Sequence, residues 1–203
     1  MTITILMTGK KVAQSNVSVP IHYLRQHIFC PRIPYYELLL ELKPTKPIWT
    51  KQGLTYEKIQ QHLFKRRSLS RFNLLTGKLH FKVPLQDDEL QLHGIMDGVI
   101  ETNDEIFPVD FKLYNIKKGD IAQLTAYSML ASKHFNKKCN SFFIITGNSH
   151  KPYHHVIQEK EKLLVKQITL KIIANLRNGL KPNSSATQNQ CSQCEYLNYC
   201  NDR

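Results

Sequence analysis

Between Leu90 and Leu113 the chain reads as two apolar strands, Leu90 to Glu101 and Glu105 to Leu113, folded back at Thr102-Asn103-Asp104. A two-residue loop at Asn103-Asp104 sets Asp97 directly opposite Asp110 on one face, with Cβ atoms ~5 Å apart. Two like charges so placed destabilise a sheet, so a chain that keeps both needs a cation between them. Hard carboxylate oxygens suit Mg²⁺ or Mn²⁺. Lys112 lies two residues past Asp110 and shares its face. An ammonium beside a metal-bound water orients it and stabilises developing charge. The flanking Ile95, Val99, Pro108 and Val109 are apolar, as expected for a covered sheet.

The surrounding pattern predicts an α/β chain. Residues 1–18 are weakly patterned, a loose strand or an arm. Pro20 suits the first turn of a helix through Ile21, Leu24 and Ile28. A second helix carries Tyr35, Leu38, Leu39 and Leu42 and stops before Pro44. Pro47 to Lys51 is expected to connect to a helix over Gly53 to Arg67, with Leu54, Ile59, Leu63 and Phe64 inward. Leu79, Phe81, Val83 and Leu85 alternate as a strand, and Asp87-Asp88-Glu89 is a polar turn. After the hairpin come a helix through Ile121 to Ala131, strands at Ser141–Thr146 and Tyr153–Gln158, and a helix over Glu159–Leu180. The last has its stripe at Leu163, Leu164, Ile168, Ile172 and Leu176. Residues 181–190 read as a linker.

Charge is distributed unevenly. Residues 1–75 carry 12 basic and 3 acidic side chains, 76–112 carry 3 and 8, and 113–203 carry 13 and 5. A basic chain suits a polyanion such as nucleic acid. An acidic island within it repels phosphate unless a metal ion intervenes. No apolar run approaches the ~20 residues needed to cross a bilayer. Met1 to Thr8 is too short for a signal peptide. The chain is therefore expected to be cytoplasmic. Its 203 residues and 41% hydrophobic content suit one domain with a real core.

Asp97, then Pro108-Val-Asp110-Phe-Lys112, resembles the D…(D/E)-x-K core of restriction-endonuclease-like nucleases. Asp120-Ile-Ala-Gln123-Leu-Thr-Ala-Tyr127 is similar to the Q-x-x-x-Y motif of their RecB-like branch. Gln123 and Tyr127 lie one helical turn apart, where both can reach a phosphate and its strand. The branch carries G-x-x-x-H upstream, but here Gly53 is followed four residues on by Glu57. Glu57 is the preferred substitute ligand. His62 is the alternative, although five residues on it faces ~140° away.

The chain has five cysteines, an odd number that argues against a full disulfide framework. Cys191, Cys194 and Cys200 cluster in the tail, and Cys30-Pro31 sits at a break between helices. Cys139 reads as a buried, inert thiol. Four cysteines suit zinc or a [4Fe–4S] cluster, and spacing alone does not decide. One cysteine before the core and C-x-x-C-x(5)-C after it is similar to the iron–sulfur, CRISPR-associated RecB-like exonuclease family. The resemblance runs from about Pro20 to Cys200 and includes Phe29-Cys30-Pro31.

That resemblance implies a single RecB-like nuclease domain over 1–203, with a mixed central sheet flanked by helices. Cys30 and residues 187–203 would hold a [4Fe–4S] cluster. Asp97, Asp110, Glu57 and the carbonyl of Phe111 would hold Mg²⁺ or Mn²⁺, with Lys112, Gln123 and Tyr127 completing the site. It further implies cleavage of single-stranded DNA ends, trimming of spacer precursors, and a CRISPR integrase as partner. A repair or mobile-element nuclease of the same branch, or a non-catalytic DNA-binding subunit, stays open.

Overall fold

A computed structural model describes residues 17–45, 47–66, 68–147 and 152–200. The weakly patterned segment 1–16 lies outside them. The element order is β1 (Val19–Pro20), α1 (His22–Phe29), α2 (Arg32–Pro34) running into a π-turn (Tyr35–Leu39), and α3 (Ile48–Phe64). Strands β2 (Lys78–Asp87), β3 (Leu92–Glu101) and β4 (Ile106–Lys112) follow, then α4 (Lys118–Phe135), β5 (Ser141–Thr146) and β6 (Tyr153–Val156). The chain ends in α5 (Glu159–Asn178), α6 (Gln188–Ser192) and α7 (Leu197–Cys200).

The strands form one mixed, six-stranded sheet. β2 pairs antiparallel along all of β3, β4 pairs antiparallel with its end, and β1 pairs parallel with its start. β5 joins β4 in parallel, and β6 closes the edge antiparallel. The β3–β4 hairpin has the expected register. Gly98 faces Val109, Ile100 faces Phe107, and Thr102 donates its N–H to the Glu105 carbonyl across the loop at 2.9 Å. β5, reached by the α4 crossover, is buried on both faces along nearly its whole length, which suits its unbroken apolar sequence.

Helices cover both faces. Leu24 of α1, Ala126, Leu130 and Ala131 of α4, and Ile168 and Ile172 of α5 pack with Val83, Met96 and Val99. Beneath the other face, Phe64 of α3 meets Phe72, Ile100, Val109, Phe111 and Phe143. Four ring pairs centred on Phe64 or Phe72 lock this aromatic layer at 4.9–5.8 Å, all edge-on.

Several sequence expectations are corrected. Pro20 pairs in β1 rather than opening a helix, because Val19 and Ile21 donate to carbonyls of Gln91 and His93. Residues 48–51 belong to α3, whose N-cap is Pro47, so the expected connection is shorter. Leu54 and Ile59 are exposed, since on a 100° wheel they turn away from the face carrying Glu57, Gln60 and Phe64. In α5 the buried stripe is Val165, Ile168, Thr169, Ile172 and Ile173, while Leu163 and Leu164 face solvent. Ile95 is also exposed, at the open end of the hairpin beyond the reach of β4. The second helix is a short α-turn and a π-turn, and it buries Tyr36.

His27 of α1 is 9% exposed, and among the described residues its Nδ1 has no hydrogen-bond partner. Burial first, then the charge of Lys171, pushes its pKa down to about 4. The unfolded chain binds that proton near ~6.5. Between these values the unfolded state holds more protons, so stability is complete above the upper value and falls as pH drops toward the lower. The full effect is about 3 kcal/mol. Replacing His27 by Leu is expected to flatten the loss of unfolding free energy across that window. An unchanged slope in denaturant titrations would place its source elsewhere.

Candidate functional site

Val109 and Phe111 pack into the aromatic layer, so alternation sends Asp110 and Lys112 to the opposite side, toward α4. Asp110 is 7% exposed. Its Oδ1 accepts the N–H of Phe111 at 2.8 Å, and its Oδ2 lies 2.7 Å from Lys112 Nζ. Asp120, in the first turn of α4, is 3.7 Å from the same ammonium. Burial disfavours the Lys112 charge, but the attraction of Asp110 and then Asp120 outweighs it, and the net pKa is raised. Lys112 is therefore held as an ammonium by the two carboxylates. Asp120 also accepts the Lys117 N–H at 2.8 Å, and its Oδ1 is 3.0 Å from Arg25 Nε, an ion pair rather than an aligned hydrogen bond.

Asp97 stands on β3, one residue before the Gly98–Val109 pair, and the register carries it opposite Asp110. Burial, then the charge of Asp110, raises its pKa to about 6, with Glu57 adding to the effect and Lys82 opposing it. Such a carboxyl is primed for a cation. Lys82 Nζ donates to Asp97 Oδ1 at 2.6 Å and to Glu57 Oε1 at 2.7 Å. Glu57 also accepts from Gln61 Nε2 at 2.9 Å. The structure thus brings Glu57 to Asp97 through one ammonium. His62 is exposed and on the far side of α3.

From α4, the Tyr127 hydroxyl donates to the Ile95 carbonyl at 3.0 Å. Burial, then the charges of Asp97 and Asp110, raises its pKa, so it remains a phenol and a donor. A Cβ on Gly94 would come within 2.7 Å of that hydroxyl, so only glycine leaves room for the ring. Gln123, one turn earlier, has a buried Oε1 with no hydrogen-bond partner among the described residues. Lys82, Arg25 and Asp120 were not singled out in the sequence. Asp120 was within reach, standing in the same run as Gln123. Lys82 sits at a polar position of an alternating strand and gives no local signal.

Cys30, Cys191, Cys194 and Cys200 line one cavity with Arg32, Tyr36 and Tyr196, and all are free thiols. Arg32 ties the tail to the core, donating to the Pro182 carbonyl at 2.9 Å and to Cys200 Sγ at 3.0 Å. Burial, opposed by the Tyr196 backbone and reinforced by Cys30 and Cys191, leaves the Cys194 thiol with a raised pKa. Cys139 is elsewhere, buried in the main core, where burial pushes its pKa up to about 12.

Residues 30–201 match the PD-(D/E)XK nuclease superfamily. The chain is 39% identical over 195 residues to the CRISPR-associated exonuclease Cas4 of Francisella tularensis subsp. novicida (strain U112), covering 95% of this chain and 98% of that one. This chain belongs to the CRISPR-associated RecB-like nucleases of the PD-(D/E)XK superfamily. Its fold is similar to the crystal structure of SSO0001, with a TM-score of 0.55 over 93% of this chain and 87% of that one, at 15% identity.

PD-(D/E)XK nucleases use divalent metals, and the residues present fit one. Glu57, Asp97 and Asp110 supply hard oxygen donors in a partly buried site, and the first two converge on a common point. Among the described residues no three His, Cys, Asp or Glu side chains are gathered at ligating distance. Ammonium groups neutralise the carboxylates instead: Lys82 for Glu57 and Asp97, Lys112 for Asp110. The cysteine cavity offers four sulfur donors to a thiolate-bound centre, and Arg32 would offset negative charge on a Cys200 thiolate. Among the described residues, no helix is long and apolar enough to cross a membrane.

Proposed function

We propose that this nuclease hydrolyses single-stranded DNA from its ends in the cytoplasm, trimming spacer precursors with a CRISPR integrase as partner. The observation that carries the chemistry is the pair Asp97 and Asp110 opposed across one hairpin, with Lys112 2.7 Å from Asp110. Asp97, Asp110, Glu57 and the Phe111 carbonyl would hold Mg²⁺ or Mn²⁺. A divalent ion held there would supply Lewis acidity toward the phosphate and make water more acidic. Lys112, held as an ammonium, orients the attacking water and offsets negative charge developing on the phosphoryl oxygens. Gln123 donates to the incoming strand from α4, and Tyr127 joins it from the same face by turning its hydroxyl from the Ile95 carbonyl. Cys30, Cys191, Cys194 and Cys200 would hold a [4Fe–4S] cluster remote from this chemistry.

The relative's name supports exonuclease activity and a CRISPR setting. The basic flanks, 12 positive side chains before residue 76 and 13 after residue 112, support binding of a DNA backbone. End-labelled single-stranded and double-stranded DNA, incubated with the anaerobically purified protein and Mn²⁺, tests the reading. Stepwise shortening of the single strand alone is expected. Cleavage of duplex only, or internal cuts in a circular single strand, would overturn the substrate assignment.

The ligand set gives a sharper expectation. Glu57→Ala should raise the Mn²⁺ concentration for half-maximal activity by about 10–100-fold, the range seen when the surroundings of a metal are disturbed. His62→Ala should leave it unchanged. A shift confined to His62→Ala would exchange the two roles.

A further inference from the structure

Among the described residues, five other than glycine have positive φ: Glu41, Lys82, Asn73, Gln91 and Asn136. Asn73 and Asn136 cap helices, Gln91 turns the β2–β3 connection, and Glu41 follows the π-turn. Lys82 differs, because its φ of 51° occurs inside a strand. A long side chain gains nothing from the left-handed region. Such strain persists where the surroundings over-determine a residue, and it clusters at functional sites.

The strain has a local consequence. The β2–β3 ladder runs from Phe81↔Gly98 to Val83↔Met96, and between these pairs Lys82 stands opposite Asp97. Its ammonium is 2.6 Å from Asp97 Oδ1 and 2.7 Å from Glu57 Oε1. Those contacts join a strand to a helix 25 residues earlier in the chain. They also fill the point from which a divalent cation would reach both carboxylates, at the ~2.0–2.1 Å that Mg²⁺ requires. An ammonium and a metal ion cannot occupy that point together. The Lys82 side chain is 51% exposed, so it can withdraw into solvent without disturbing the core.

We propose that Lys82 is an internal cation that holds Glu57 and Asp97 together in the metal-free protein and is displaced when a divalent ion binds. Lys82 is then a positioning residue that preassembles the site and sets the metal concentration at which it fills. The inference rests on the reading that Glu57, Asp97 and Asp110 form the metal site.

The test is Mn²⁺ binding to the full-length, DNA-free protein, read by calorimetry and by the loss of the free-ion Mn²⁺ EPR signal. Lys82→Ala and Lys82→Gly are compared with wild type, Lys82→Arg and Asp110→Asn. Lys82→Gly also relieves the positive φ, so at least one charge-removing variant should fold well. Two half-exposed ion pairs are each worth little, so their loss should tighten Mn²⁺ binding by about 3–30-fold. Lys82→Arg, which keeps the charge, should bind no more tightly than wild type. A residue that merely supported the fold would weaken binding when removed. Equal or weaker affinity in both Lys82→Ala and Lys82→Gly overturns the proposal. If wild type and Asp110→Asn both fail to bind Mn²⁺, the metal-site reading itself falls, and the proposal with it.

Discussion

Asp110→Asn is expected to lose single-stranded DNA cleavage by about 10³-fold or more while still binding DNA. The side chain does two things at once. Through Oδ1 it accepts the Phe111 N–H, and through Oδ2 it neutralises Lys112. Asparagine keeps its carbonyl oxygen for the first task and loses the negative charge needed for the second and for a metal ion. Removing one preorganised electrostatic group costs ~10²–10³ in rate, and loss of a metal ligand adds to that. Binding should survive because it draws on many basic side chains outside the β4 segment.

The change also strands a positive charge. Among the described residues Lys112 then keeps Asp120 alone, at 3.7 Å. Breaking a buried pair costs about 3–5 kcal/mol, and the remaining partner should reduce that to about 1–2. A melt must therefore accompany the assay, and a folded Asp110→Asn protein is expected. Lys112→Ala should lose cleavage similarly. Wild-type rates in both proteins would remove these residues from the chemistry.

The hairpin was legible because three signals agreed. Two apolar strands, a two-residue polar loop and an aspartate on each strand admit one register that buries the apolar residues, and β3 and β4 adopt it. Asp97 and Asp110 followed from that register alone. Glu57 came from the resemblance, as the residue standing where the family pattern G-x-x-x-H has its His, and the structure joins it to Asp97 through Lys82. Helix α3 was harder to orient. Its apolar residues are spread around the axis, so Leu54 and Ile59 looked as inward as Phe64. Only the aromatic layer under the sheet, built from residues 72 to 145, selects the face that carries Phe64.

Lys82 and Arg25 were illegible for a different reason. Each acts through partners distant in sequence: Lys82 through Glu57 and Asp97, Arg25 through Asp120. No local spacing encodes such contacts. The start of α5 failed on hydrophobicity itself, since Leu163 and Leu164 are as apolar as the buried Val165. Where an apolar stripe is wider than the surface it meets, the packing partner chooses the side.

Cys30→Ala should abolish the tail's anchoring and lower the melting temperature by about 10 °C, whereas Cys139→Ala should change it little. Cys30 and Cys191 lie 161 residues apart, so a centre that joins them closes a loop around the whole nuclease core. Cross-links over ~100-residue loops restrict the unfolded chain by several kcal/mol in the chain-entropy picture, and each kcal/mol is worth ~2–4 °C at this size. Several protein contacts hold the tail, among them Lys181 Nζ on the Cys200 carbonyl at 3.3 Å and Cys30 Sγ beside Ser184 Oγ at 3.6 Å. Tyr196 stacks on Tyr36 at 5.7 Å and donates to Glu37, and Arg32 reaches Pro182 and Cys200. These position the cysteines around one cavity, but they bury only a small cluster, Cys30, Ile33, Tyr36, Ala186 and Tyr196, apart from the main core. The bonds to a metal centre should therefore supply much of the tail's stability. Anaerobically purified wild type should be brown, with about four iron and four sulfide per chain. Cys30→Ala should lose that colour, and Cys139→Ala should keep it, because Cys139 packs with Val165 and Ile168 in the main core, away from the cavity. A colourless wild type with stoichiometric zinc would replace iron–sulfur by zinc and leave the tie between Cys30 and the tail intact. A Cys30→Ala protein that melts with wild type would show that the tail holds without it.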